Sequence, residues 1–179
     1  MLAGFARAVE RINRGFGYAL ALLVWATAAV CAAVVVLRYA FHQTYPWMQD
    51  LYVWIHAFVF LVGIAYGVLT NTHVRVDILH GRWAPRTRAV VEIVGILVFT
   101  LPWIGILAWL TWPFVASSWR FLEGAAQPGG LPGVFLFKTM LLAFCFLVLL
   151  TSAAVLARAI LVLRGDPEAA AAPPFGRAE

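Results

Sequence analysis

Four long apolar runs leave this chain few ways to fold. Residues 16–37, 51–69, 89–112 and 133–157 are almost wholly hydrophobic. A helix needs about 20 residues at about 1.5 Å each to cross a hydrocarbon core of about 30 Å. Each run meets that length, the second once Met48–Asp50 are counted at its interface. The last two could exceed it, which predicts tilt. A spanning β-barrel would need alternating segments of about 10 residues, and none is present. Composition agrees. Of the 179 residues, 64% are hydrophobic and 12% charged, too apolar for a small soluble domain to bury. The expected fold class is an all-α integral membrane protein with four tilted transmembrane helices, about 16–37, 48–69, 89–112 and 133–157, within one domain, 16–163.

The flanks are read separately. In residues 1–15, Leu2, Phe5, Val9 and Ile12 recur at helical steps, and Arg7, Arg11 and Arg14 take the other side. That predicts an amphipathic cytoplasmic or interfacial helix, or an extension of the first span. The first run is too long for the apolar core of a signal peptide. Residues 164–179 hold Pro and Ala without a periodic apolar face, which predicts a disordered cytoplasmic tail. With the N-terminus inside, ten of the 13 basic residues fall on cytoplasmic segments and three, Arg38, Arg120 and Lys138, on the opposite side. Both termini are therefore expected in the cytoplasm. The net charge of +5 suits anionic lipids, and no exposed aromatic-interleaved basic patch suggests nucleic acid.

The polar residues between and inside the runs are few. Pro46 can open the second helix, and Asp50 near its first turn is favoured by free amides there or by a partner such as Arg38. Inside that helix, His56, Gly63 and Gly67 share a face. Gly63 and Gly67 make a small-x-x-x-small step suited to helix packing, and His56 reads as a packing residue in need of a hydrogen bond. Pro102 predicts a kink and Pro113 a kink or interruption. Glu92 sits near the inner end of the third helix. Outside, Trp119, Arg120, Glu123 and Lys138 read as interface candidates, satisfied by local salt bridges or by a partner protein. Trp54, Phe58 and Trp103 suggest surface for a larger neighbour. Cys31 and Cys145 read as small membrane hydrophobes. His73, Asp77 and His80 have helical spacing but are not assigned to a metal. No catalytic, cofactor or metal site is expected, and no phosphate loop, nucleophile elbow or dinucleotide fingerprint occurs.

One polar stretch interrupts this pattern: HVRVD, His73 to Asp77, directly after the second run. Further on, Trp119–Arg120–x–x–Glu123 is followed by PGGLP, 128–132, and by an apolar run carrying Lys138. In order and spacing this layout resembles the DctQ-like small membrane subunit of tripartite ATP-independent periplasmic (TRAP) transporters over roughly residues 10–163. Asp50 departs from it, standing where a Glu is usual. The resemblance implies a noncatalytic subunit in a bacterial inner membrane. Its partners would be a large DctM-like membrane subunit, which moves an organic acid or related solute with sodium, and a periplasmic solute-binding protein. His73, Arg75 and Asp77 would then fasten the inner loop. A free-standing oligomeric carrier or channel and a cytochrome-like anchor stay open as alternatives. The second would want paired membrane histidines, and only His56 lies within a run.

Overall fold

The computed structural model describes residues 2–70, 83–171 and 175, with the side chains of 2–17, 65, 66 and 68–70 left outside the description. His73, Arg75 and Asp77 therefore lie outside the described residues. The described elements are helical: α1 Leu2–Ala40, α2 Pro46–Thr70, α3 Pro85–Gly95, a π-helical turn Ile96–Thr100, α4 Leu101–Arg120, α5 Val134–Leu163 and α6 Pro167–Ala171. Four stretches, Tyr18–Ala40, Pro46–Ile64, Pro85–Arg120 and Val134–Leu163, are long and apolar enough to cross a membrane.

The helices outrun the apolar runs because helices end where the backbone is stopped, not where hydropathy falls. Pro46 starts α2, and Pro85 lies at the first turn of α3, where a missing N–H costs nothing. The third stretch is 36 residues long, about 54 Å of helix against a core of about 30 Å. Its midpoint holds Pro102, whose ring would collide with the carbonyl four residues earlier. The π turn just before it widens the ladder, and the Leu101 amide reaches the Ile96 carbonyl. Pro113 does not interrupt α4, which runs on to Arg120.

The chain forms two compact units. The first comprises residues 1–16, 64–106 and 146–179. Its core joins Ala89 and Ile96 to Ala154, Val155, Ala159 and Val162 of α5, and to Ala169 and Phe175. Small residues on α3 and α5 allow close approach where lipid offers no hydrophobic drive. Arg88 is buried here. Its Nε donates to the Trp83 carbonyl and its Nη1 to the Phe175 carbonyl, both at 3.1 Å. Arg158 is buried as well. Of residues 164–179, expected to be a disordered tail, Pro167–Ala171 form α6. Asp166 Oδ1 accepts from the amides of Glu168 and Ala169 at 3.0 and 3.3 Å, capping α6, and Phe175 is 1% exposed. Burial of Phe175 and the guanidinium on its carbonyl hold that residue in the first unit's core.

The second unit comprises residues 17–63 and 107–145. On its part of α1, Tyr18, Leu22, Trp25, Val36 and Tyr39 are all exposed, at alternating steps of four and three apart from a gap at the small Ala29 and Ala32. Thr27 returns its hydroxyl to the Leu23 carbonyl at 2.8 Å, so that hydroxyl is not left an orphaned donor.

Candidate functional site

The polar residues of the second unit gather where α4 ends, α5 begins and α2 begins. α4 stops in a left-handed residue, Leu122, at φ 43°. The Leu122 amide donates to the Trp119 carbonyl and the Glu123 amide to the Ser118 carbonyl, at 3.2 and 3.0 Å. This paired closure is the Schellman motif, which normally takes glycine at the left-handed position. Its consequence is to fold Glu123 back over its own helix. Ser118 Oγ then donates to Glu123 Oε2 at 2.6 Å, and Lys138 Nζ donates to the same oxygen at 2.5 Å.

Lys138 is the fifth residue of α5, where the partial positive charge of the helix start disfavours a cation. Glu123 offsets that, and the Phe114 ring does so from another side, its centroid 4.0 Å from Nζ. The ammonium side chain is 17% exposed and the carboxylate 40%. Lys138 and the Ser118 hydroxyl hold the Glu123 carboxyl below its usual range, and proximity to the lysine charge adds to this against a small desolvation. Next to this pair, Trp119 donates its indole N–H to Thr139 Oγ1 at 2.8 Å and meets Phe135 edge-on at 4.7 Å. Thr139 Oγ1 donates in turn to the Phe135 carbonyl at 2.7 Å.

Asp50 holds the loop between α4 and α5. Its Oδ2 accepts from the Leu131 amide at 2.9 Å. The approach depends on Gly130, where a Cβ would stand 2.5 Å from that oxygen and 3.1 Å from the Gln127 carbonyl. Gly129 and Gly133 adopt φ of 76° and 98°, so the turn needs glycine for its backbone too. Among the described residues Asp50 makes no ion pair with Arg38. The carboxylate latches a distant backbone amide instead. Arg38 lies over the neighbouring Tyr39 ring at 5.9 Å, and Arg120 is exposed.

Asp50, Glu123 and Lys138 border one cavity of about 560 Å³, otherwise walled by apolar residues of α2, α4, the following loop and α5. Trp54 stacks on Phe137 in its wall at 5.3 Å. Trp54, read from sequence as outward surface, thus has an internal partner. The sequence placed Glu123 and Lys138 in one region, and the structure joins them. Ser118, Phe114 and Thr139 escaped notice, since each is unremarkable until the left-handed Leu122 turns Glu123 inward. His56 is exposed, and a Cβ at Gly63 would meet nothing within 4 Å. Among the described residues no group of three His, Cys, Asp or Glu is placed to hold a metal ion.

The family model for the DctQ component of tripartite ATP-independent periplasmic transporters matches residues 26–162. The chain belongs to the DctQ family. No curated protein and no solved structure gives a significant match. The DctQ match takes in the second and third spans whole, most of the first and fourth, the HVRVD stretch and every residue of the carboxylate–lysine cluster. It leaves out the start of α1, α6 and Phe175. The protein is accordingly a multi-pass membrane protein of a transport family, and its polar cluster is a DctQ-region feature rather than an appendage.

Proposed function

We propose that this chain is the noncatalytic small permease subunit of a sodium-driven TRAP transporter, scaffolding a large membrane subunit that carries an organic acid or related solute. The observation that carries the reading, beside the family, is how little of the protein covers itself. In the most apolar stretch of each span, 6%, 6% and 11% of residues are buried for the first three and 44% for the fourth. The fourth helix has the largest buried share. The other three present aromatic surface outward, including Trp25, Trp103, Trp109 and Trp112. A larger neighbour packing on such faces gains van der Waals contact that lipid supplies less specifically. Two buried or half-buried cations are held by their own chain: Glu123 holds Lys138, and the Phe175 and Trp83 carbonyls hold Arg88. They tie the scaffold together.

The remaining assignments belong to the same reading. The chain sits in a bacterial inner membrane with both termini cytoplasmic, by its arginine distribution. Residues 1–15 form an amphipathic face on anionic headgroups. His73, Arg75 and Asp77 fasten the inner loop, while Arg38, Asp50, Trp119, Arg120, Glu123 and Lys138 shape the opposite end near the periplasmic binding protein. His56, Gly63, Gly67 and Pro102 serve helix packing. The test is reconstitution. Vesicles holding this chain alone should show no solute uptake under a sodium gradient, and uptake should appear when the large subunit and the loaded binding protein are added. Saturable sodium-driven uptake by the chain alone would instead make it a carrier.

A further inference from the structure

The cavity in the second unit has a shape and charge that fit one kind of molecule. Its volume of about 560 Å³ is nearly twenty times the share of one water, about 30 Å³. Waters there would need two to four polar partners each, and 11 of the 14 lining residues are apolar. The apolar wall runs along α2 from Asp50 to Leu61, about 16 Å at 1.5 Å per residue, close to half of a 30 Å hydrocarbon core. The polar rim stands at one end. Tyr45 and Trp47, exposed at the start of α2, and Trp119, exposed at the end of α4, are the amphipathic aromatics that favour the headgroup level.

The rim decides the head group. It holds two carboxylates and one ammonium. Both bonds to Glu123 fall on Oε2 and the bond to Asp50 falls on Oδ2. Glu123 Oε1 and Asp50 Oδ1 therefore receive no donor from the described residues. Lys138 is already committed to Glu123 and the Phe114 ring. The open valence at the rim is acceptor, with a net negative charge. A primary ammonium brings three N–H donors to it, whereas a choline brings none and a phosphoglycerol brings a charge of the wrong sign.

We propose that this cavity is a lipid site, taking one acyl chain of a phospholipid whose primary-ammonium head group is received by Asp50 and Glu123. It requires only that the chain lie in a membrane, so its failure leaves the subunit assignment untouched, and the reconstitution above leaves this one untouched. The full-length chain, purified and stripped of lipid, is offered phosphatidylethanolamine, phosphatidylcholine and phosphatidylglycerol with identical acyl chains in competition, and retained lipid is read by native mass spectrometry. Phosphatidylethanolamine should be retained about tenfold over phosphatidylcholine, the worth of one charge-assisted hydrogen bond. Ala57→Trp, which fills the wall, should lose the bound lipid whatever its head group. Asp50→Asn should keep a lipid but bring the preference to about even. Should Asp50→Asn not fold, having lost its grip on Leu131, the wild-type competition and Ala57→Trp still decide. No retained lipid, equal retention of the three head groups, a preference for phosphatidylglycerol, or retention unchanged in Ala57→Trp would each overturn the proposal. So would a polypeptide held by the wild type and released by Ala57→Trp in place of lipid.

Discussion

Two helices in this protein end by the same hydrogen-bond pattern with opposite residues at its critical position. α5 stops at Gly165, φ 87°, with the Gly165 amide on the Val162 carbonyl and the Asp166 amide on the Leu161 carbonyl, at 3.0 and 3.1 Å. α4 stops at Leu122 with the equivalent pair. Glycine enters the left-handed region freely, whereas a residue with a Cβ gives up about 1–2 kcal/mol there. The first stop is thus set by the backbone. The second is held against its preference, and what opposes the strain is side-chain chemistry: Glu123 on Ser118 and Lys138. Strain that persists is over-determined by its surroundings. At the end of α4 those surroundings are the rim of the cavity, so the unfavourable residue marks the place where geometry matters most.

The largest expected effect lies just beyond the relaxed stop. Phe175 is buried with Ala169 in the first unit's core, and its carbonyl takes the Arg88 guanidinium. Phe175→Ala should lower stability by about 3–5 kcal/mol, the usual cost of truncating a buried phenylalanine. A detergent-solubilised thermal unfolding series would measure it. A change under about 1 kcal/mol would mean that Phe175 is not part of the core, because surface truncations cost that little.

Next comes the latch beside the strained stop. Gly130→Ala should push the Asp50 carboxylate off the Leu131 amide and cost about 1.5–3 kcal/mol, the range for a hydrogen bond to a charged group. Exchange of the Leu131 amide with deuterium should speed up in the same variant. An unchanged exchange rate would show that the loop is held by Gly129 and Gly133 without Asp50.

The two stops can then be swapped. Gly165→Leu should cost about 1–2 kcal/mol, and Leu122→Gly should return up to about 1 kcal/mol net of the glycine's extra chain entropy. Opposite signs at matched positions are the signature of the comparison, read as shifts in unfolding midpoint. If Leu122→Gly destabilises, the exposed leucine side chain contributes a contact worth more than its strain.

How far the sequence reveals these features depends on the range of the forces involved. Hydropathy over a window of residues finds the four spans, because lipid acts on each helix independently of the others. Pro102 announces a distortion but not its form, since a kink and a π turn both relieve the same clash. Asp50, Glu123 and Lys138 stand out singly as rare charges near span ends. Their pairing does not, because it depends on a left-handed leucine that no propensity favours. The α6–Phe175 segment is missed for a related reason. Its five-residue helix is too short to show a periodic face, and its anchor is an arginine 87 residues away.

The smallest effect concerns Glu123 itself, and its direction is set by the partners around it. Lys138 and Ser118 hold its carboxyl below the usual carboxylate range in the folded protein. A depressed folded pKa means the unfolded chain binds the proton more readily, so acid favours unfolding. The contribution is fully present above the unfolded pKa of about 4.3 and is lost as pH falls through the lower, folded value. Other carboxylates titrate in the same window, so the wild type alone does not isolate it. The difference in unfolding midpoint between wild type and Glu123→Gln does. The amide oxygen of Gln still accepts from Lys138 and Ser118, which leaves charge as the main change. That difference should be constant from pH 8 to about pH 5 and shrink as pH falls below about 4, vanishing once Glu123 is protonated in the folded protein as well. High salt should shrink it at neutral pH as well, because the carboxylate is partly exposed. A difference that grows on acidification would mean that the protonated carboxyl is the better partner for this site. The strain at Leu122 would then be opposed by hydrogen bonding to Ser118 rather than by the lysine's charge.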